Sequence, residues 1–367
     1  MNSKFTRGLR AIGVAFTALA CVGTNASDAF DPVTKRLTLE SVTVVGKNYN
    51  AVAVTVNSYT LLTVGSGAPT ADTFDPNTNI LTLGAVAFQG AIYNNVQARI
   101  NSYTLLGVGG GLGPLNLTDL QLSTCDDLTA VFETGKLPRV RGSVENLADS
   151  AGFTIDWAAL TTAYQSVSNP NESDVGAVAR QWTTLHPTSP LAPSLPVLNS
   201  LVTIQSDDTT ALEAKGFSAA WKTEVKDPAF QALYDNVFHA NIAFPAHAIM
   251  AKHGARSALA ACIGQNLYNL HGFADDYDSG NQILSRATAA AGGTPASGAV
   301  SETAWLRAVA DKMYADEMNA QTTRPGLAQA MRNGAPRCLV LRALVDAGNL
   351  DLTQRPIDTG PYGVTIQ

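Results

Sequence analysis

The sequence predicts an α+β protein of two dissimilar parts, a small all-β module followed by a larger, predominantly α-helical domain. Three observations carry that expectation: a β-rich pattern that occurs twice, 44 residues apart, a glycine run at residues 107–113, and a change beyond that run from strand-like to helix-like spacing of apolar residues. With 367 residues, 46% of them hydrophobic, the chain has apolar material for a large core and a smaller one.

The first 26 residues carry Lys4, Arg7 and Arg10, then an uncharged apolar run over 11–22, then small residues ending at Ala26. This is the layout of a cleaved secretory signal, and the run falls short of the roughly 20 residues that span a bilayer. No later segment is long and apolar enough to span one. A secreted or periplasmic protein is expected. Ala18 stands where a lipoprotein signal ending at Cys21 usually has leucine, so cleavage without lipidation is the expectation.

The duplicated module covers residues 30–111, in copies 30–67 and 74–111. Phe30-Asp31-Pro32 and Phe74-Asp75-Pro76 open the copies, and Leu37 matches Leu81, Val42 matches Val86, Val52 matches Val96, and Ser58-Tyr59-Thr60 matches Ser102-Tyr103-Thr104. Val, Thr, Leu and Tyr in partial alternation, punctuated by Asp-Pro, Gly and Asn, are strand and hairpin signals. One copy is too small to bury a sheet alone, so the two are expected to pair into one sandwich or barrel-like unit. Tyr49, Tyr59, Tyr93 and Tyr103 are core residues on this reading, with an aromatic glycan-binding surface as the alternative.

The glycine run invites a phosphate-loop reading, but Pro114 stands where such a loop enters its helix and no Gly-Lys-Ser/Thr ending follows. It reads as flexible chain leading into a linker at 112–118. The domain at 119–367 then shows apolar residues at helical spacing over 172–185, 228–253, 255–271, 301–319 and 325–346. Pro245 is expected to break or kink the second of these segments.

Loss of the signal removes three cations and no acid, taking the net charge from −6 to about −9. Such acidity disfavours nucleic acid and suits a cationic ligand, although solubility alone also accounts for it. Cys125, Cys262 and Cys338 remain in the mature chain and permit at most one intramolecular disulfide; their spacing matches no zinc pattern, and buried thiols are the expectation. His239, His247 and His253 are spaced by eight and six, which does not place three ligands on one helix face. Neither His-Glu-x-x-His nor Gly-x-Ser-x-Gly occurs, so no metal and no cofactor is expected, and His271 reads as a helix-end residue.

Among the acids, Glu133 follows the apolar turn Leu128-Thr129-Ala130-Val131-Phe132, whereas Asp149 lies in a loop of small residues. Partial burial suits a protonated acid and solvation suits an ionised base, and that contrast is what glycoside hydrolysis asks of two carboxyls. Taken alone, two solvated surface carboxylates explain the same residues.

The order of motifs around the pair adds to this. Leu128-Thr129-Ala130-Val131-Phe132-Glu133, then Glu145-Asn146-Leu147-Ala148-Asp149 with Gly152-Phe153-Thr154, resembles the paired catalytic segments of the family 46 chitosanases. Asp227-Pro228-Ala229-Phe230, Asp235, Phe244-Pro245-Ala246, His271-Gly272, Arg342 and Ala347-Gly348-Asn349-Leu350-Asp351-Leu352 fall in that family's order, so the resemblance spans about 119–367. It implies a two-lobed, lysozyme-like fold and inverting endo-hydrolysis of β-1,4-linked glucosamine. Carried over by position, Glu133 is the general acid, Asp149 the base, and Thr154 the residue that helps to hold the attacking water. The implied partner is chitosan, a cationic polysaccharide, taken by a monomer. Asp174 and Asp235 are candidate contacts for its ammonium groups, and Arg342 is grouped with the substrate-binding residues.

The chain departs from the family pattern at Ala151, Asn266 and Met313, where the resemblance leads one to expect an arginine, an aspartate and another arginine. Arg342 is then the one expected member of a buried ionic network left, and neutral packing is expected in its place. The alternatives are a hydrolase of another amino-sugar polymer such as peptidoglycan, and an inactive glycan-binding or surface protein.

Overall fold

A computed structural model describes residues 28–367 apart from 33–34, 45–46, 76–77, 90, 108–113, 148–150, 168, 205, 275–276 and 324–327. The expected signal segment, most of the glycine run and Asp149 therefore lie outside the described residues, as does the side chain of Tyr49. The chain divides into two compact units between Asn116 and Leu117.

The first unit is all β. Strands β1 (Asp28–Asp31), β2 (Arg36–Val44) and β3 (Lys47–Val64) come from the first copy, and β4 (Thr73–Asp75), β5 (Ile80–Phe88) and β6 (Ala91–Gly107) from the second. They form one sheet in the order β1-β2-β3-β6-β5-β4, in which β1 also pairs β5 and β4 also pairs β2. Every strand thus has at least two neighbours, β2 and β5 having three, and among the described residues the sheet curls into a barrel-like unit with no strand left at an edge. The long β3 and β6 meet antiparallel at its centre, with Tyr59 opposite Ile100 and Val56 opposite Tyr103.

Burial follows the duplication: Leu37 and Leu81, Leu39 and Leu83, Val42 and Val86, and Val52 and Val96 are all in the core. Tyr93 is buried with them. Tyr59 packs edge-on against Phe30 and Tyr103 against Phe74, at 5.9 and 5.8 Å, so the aromatic pair is duplicated too. Tyr103 nevertheless remains half-exposed. Near the strand starts, Asp28 accepts the amide of Glu40 at 2.8 Å and Asp72 accepts that of Gly84 at 2.7 Å, the same twelve-residue reach in each copy. The Asp28 and Asp72 carboxyls are hydrogen-bonded to one another.

The second unit is helical with a small antiparallel sheet. Helix α1 (Asp119–Thr134) opens on Thr118, whose side chain and that of Gln121 form a reciprocal capping box, and ends at Gly135 in the left-handed conformation. Strands β7 (Val144–Asn146), β8 (Phe153–Ile155) and β9 (Leu160–Thr161) follow in the order β7-β8-β9. Helices α2 (Asp174–Leu185), α3 (Leu195–Ile204), α4 (Phe217–Glu224) and α5 (Pro228–Phe238) pack around Trp157, Trp182, Trp221, Phe230 and Tyr234.

Pro245 does not end its helix. The chain widens into a π turn at His239–Ala243 and continues as α6 (Phe244–Lys252), because a proline at the second position of α6 lacks the N–H that a regular turn would use. Helices α7 (Ala258–His271), α8 (Gly280–Ala291), α9 (Glu302–Met318) and α10 (Pro336–Asp346) follow, together with shorter helical turns that include Ala328–Gly334, and Trp305, Leu306, Val309, Met313 and Leu341 are fully buried. Cys125 of α1 and Cys262 of α7 form a disulfide, which corrects the expectation of unbridged thiols; Cys338 alone is free and buried among the described cysteines. The helical spacing places Cys125 and Cys262 on core-facing stripes, but which stripes face one another is a tertiary fact.

Candidate active site

Glu133 occupies the last turn of α1, where the helix dipole disfavours an anion and the helix has no basic residue of its own. The cation comes from elsewhere. Arg337 of α10 donates through Nη1 to Glu133 Oε1 at 2.7 Å, and Asn269 of α7 donates to the same oxygen at 3.2 Å. Oε2 has no partner among the described residues, and the side chain keeps 16% of its exposure. One oxygen is therefore gripped and the other presented.

Arg337 is itself buried, and burial works against its charge, but Glu133 and then Glu317 outweigh it and hold the guanidinium above its usual range. Glu317 of α9 is fully buried, with Oε1 3.2 Å from the Cys338 thiol and 3.7 Å from His271 Nε2. His271 Nδ1 lies 2.9 Å from the carbonyl of Asp278, so that nitrogen carries the hydrogen. Burial first, and Glu317 second, push the Cys338 thiol well up, which keeps it protonated. Tyr362 closes the cluster: its ring lies 5.3 Å from that of Phe132, and burial pushes its hydroxyl up to about 12 against the pull of Arg337.

The expectation of neutral packing is thus corrected. Asn266 turns its amide to the carbonyl of Cys262 in its own helix, and Met313 and Ala151 are buried, but Glu133, Arg337 and Glu317 form a cluster of ionisable groups in this region, with His271 beside Glu317. Arg342 is not its cation. It lies on the outer face of α10, 39% exposed, paired with Asp311 at 2.8 Å and Asp346 at 3.8 Å. The spacing of α10 holds the signal for Arg337, since residues 337, 338, 341 and 345 share a buried stripe from which 342 is excluded.

Thr154 lies at the middle of β8, opposite Glu145 on one side and Thr161 on the other. The connection from β7 to β8 carries Asp149, whose position lies outside the described residues. Its return arm is tightly held: Ala163 donates to the carbonyl of Ala151 at 3.1 Å, and Gly152 sits at φ 73°, where a Cβ would come within 2.4 Å of Thr162 Oγ1.

Asp174 and Asp235 are both engaged inside the protein. Asp174 accepts from Asn241 of the π turn at 2.8 Å, and burial pushes its carboxyl up to about 6. Asp235 accepts from Arg141 at 2.8 Å and from Trp157 Nε1 at 3.1 Å. It belongs to a second charged cluster, in which Arg139 reaches Asp126, Asp127 and Asp235, and His239 bonds Asp126 at 3.0 Å. Among the described residues no group of three His, Cys, Asp or Glu is placed to hold a metal ion, and no helix is long and apolar enough to cross a membrane.

Comparison with known proteins places this geometry. The profile of glycosyl hydrolase family 46 matches residues 127–357, all within the second unit. A chitosanase from Bacillus subtilis (strain 168) is 33% identical over 234 residues, which is 63% of this chain and 79% of that protein. Among solved structures, a glutamate-to-alanine variant of chitosanase from Bacillus subtilis MY002 complexed with 6 GlcN superposes with a TM-score of 0.61 at 30% identity, over 68% of this chain and 100% of the other. The chitosanase of Gynuella sunshinyii complexed with chitotetraose gives 0.61 at 25% identity, over 68% and 97%. The class is glycoside hydrolase, and the chain belongs to glycosyl hydrolase family 46.

Proposed function

We propose that the protein is an exported chitosanase that cleaves β-1,4 glucosamine linkages within the chain, with inversion, in a two-lobed, lysozyme-like helical domain. The observation that carries the reading is Glu133, a helix-end carboxyl with one oxygen fixed by Arg337 and Asn269 and the other unpartnered among the described residues. Glu133 protonates the departing glycosidic oxygen through the presented oxygen. Asp149, in the loop that runs into β8, takes a proton from water on the opposite sugar face, and Thr154 orients that water. An inverting pair needs about 6.5–9.5 Å between carboxyls to admit the water.

The reading assigns no direct sugar contact to Asp174, Asp235 or Arg342, because Asn241, Arg141 and Asp311 already satisfy them. Attraction of the polyamine rests on the net acidity of the mature chain. The protein acts as a monomer in the periplasm or medium, and residues 30–111 form a separate module joined by the linker.

Separate incubation with chitosan, chitin and peptidoglycan, followed by product analysis and NMR of the first-formed anomer, tests this. Shortened glucosamine oligomers of inverted anomeric configuration from chitosan are expected. Turnover of peptidoglycan alone, or binding to chitosan without turnover, would overturn it.

A further inference from the structure

The cluster behind Glu133 contains one more carboxylate than an acid and its arginine require. We propose that Glu317 is a positioning residue for Glu133: by sharing Arg337 between two carboxylates, it allows Glu133 to carry a proton without stranding the buried guanidinium. The inference rests on the reading of Glu133 as general acid.

A single Arg–Glu pair favours the ionised carboxylate, the wrong state for a proton donor. Were Glu133 the one counter-charge of Arg337, protonating it would leave a buried cation uncompensated, which is strongly unfavourable. Glu317 removes that conflict. It is fully buried, and its Oε2 has no hydrogen-bond partner among the described residues.

The route between the two groups is left open by Gly334. A Cβ at that position would stand 3.3 Å from Arg337 Nη2 and 3.3 Å from Glu317 Oε2, so these atoms flank the missing side chain. Arg337 thus donates from Nη1 to Glu133, while its Nη2 and Glu317 Oε2 both lie beside the vacant Cβ position of Gly334. Cys338 donates to Glu317 Oε1 at 3.2 Å, and His271 Nε2 lies 3.7 Å from that oxygen.

The titratable and charged groups around Glu133 are Arg337 and Cys338 from α10, Glu317 from α9, His271 from α7 and Tyr362 near the C-terminus. Asp278 and the Asp316–Arg286 pair lie around His271. Glu317 is the fully buried carboxyl of this set beside Glu133. Its removal leaves Arg337 undivided on Glu133 and stabilises the Glu133 carboxylate.

Glu317→Gln keeps the shape and removes the charge. The high-pH limb of kcat is expected to move down by about one pH unit, with roughly a tenfold loss of kcat on that limb and no change in KM, since Glu317 is out of reach of substrate. Glu317→Asp should return the limb toward its original position. Gly334→Ala, a helix-favouring change, places a methyl between the two groups and should move the limb the same way, which keeps the test open if Glu317→Gln does not fold.

A titration of 13C-glutamate-labelled protein, with the Glu133 signal identified by its loss in Glu133→Gln, reads the same displacement without turnover. A lower midpoint in Glu317→Gln or Gly334→Ala supports the inference even if chitosan is not the substrate. Unchanged titration and pH profiles in the folded variants would overturn it, while absence of hydrolysis by the native protein would instead overturn the functional reading.

Discussion

Glu133 Oε1 and Arg337 Nη1 meet at 2.7 Å across 204 residues of sequence, tying the end of α1 to the first turn of α10. The pair joins an exposed edge to a buried one, since Glu133 keeps some solvent contact and Arg337 almost none. Arg337→Met should therefore lower stability by about 3–5 kcal/mol, since Glu133 can still be hydrated but the fully buried Glu317 also loses its nearby cation. Arg337→Lys should lose less stability, yet a large share of kcat, since an ammonium cannot serve Glu133 and face Glu317 with a planar fork. Urea unfolding alongside kinetics on chitosan checks both.

The disulfide joins the two helices that supply Glu133 and Asn269. It closes 137 residues of chain, so its removal in Cys125→Ser/Cys262→Ser is expected to lower stability by about 2–4 kcal/mol. Thiol titration of the denatured mature chain should find one free thiol before reduction and three after it. Three thiols before reduction would contradict the bridge.

Gly152 fixes the arm that returns from Asp149. A side chain there would adopt an unfavourable φ and collide with Thr162 Oγ1, so Gly152→Ala should cost about 1–3 kcal/mol and displace the loop. A fall in kcat larger than the fall in folded fraction at assay temperature is the expected result, read by activity and melting curves together.

The β unit carries its own pH dependence. Burial, with hydrogen bonding to Asp72, raises the Asp28 carboxyl from 3.8 to about 7. Between those values the folded chain binds a proton that the unfolded chain does not, so the contribution is fully present below about pH 4 and is lost as pH rises through about 7. Melting temperatures from pH 4 to 8 should show this component in the native protein and not in Asp28→Asn.

The duplication and the helical pattern were readable because both are written in local periodicity, and burial of Leu37 with Leu81 or Val42 with Val86 repeats that period. Pro245 was readable as a disturbance but not as a π turn, since the outcome depends on how the flanking helices pack. The ordered neighbours of Glu133 single out that carboxylate in sequence, whereas they do not single out the cation that pairs with it. Arg337 and Arg342 lie on the same helix, and only the buried stripe through Cys338, Leu341 and Val345 distinguishes them. Glu317 gave no sign in sequence, because a carboxylate is usually solvated and its burial depends on α7 and α10 closing over it.

The most direct test of Glu133 as the proton donor is release of reducing ends from chitosan by folded Glu133→Gln. The variant keeps a side chain able to accept from Arg337 and Asn269 but cannot supply the proton, so a loss of at least roughly 10²–10⁴-fold is expected with the melting curve little changed. Hydrolysis at the native rate would contradict the assignment.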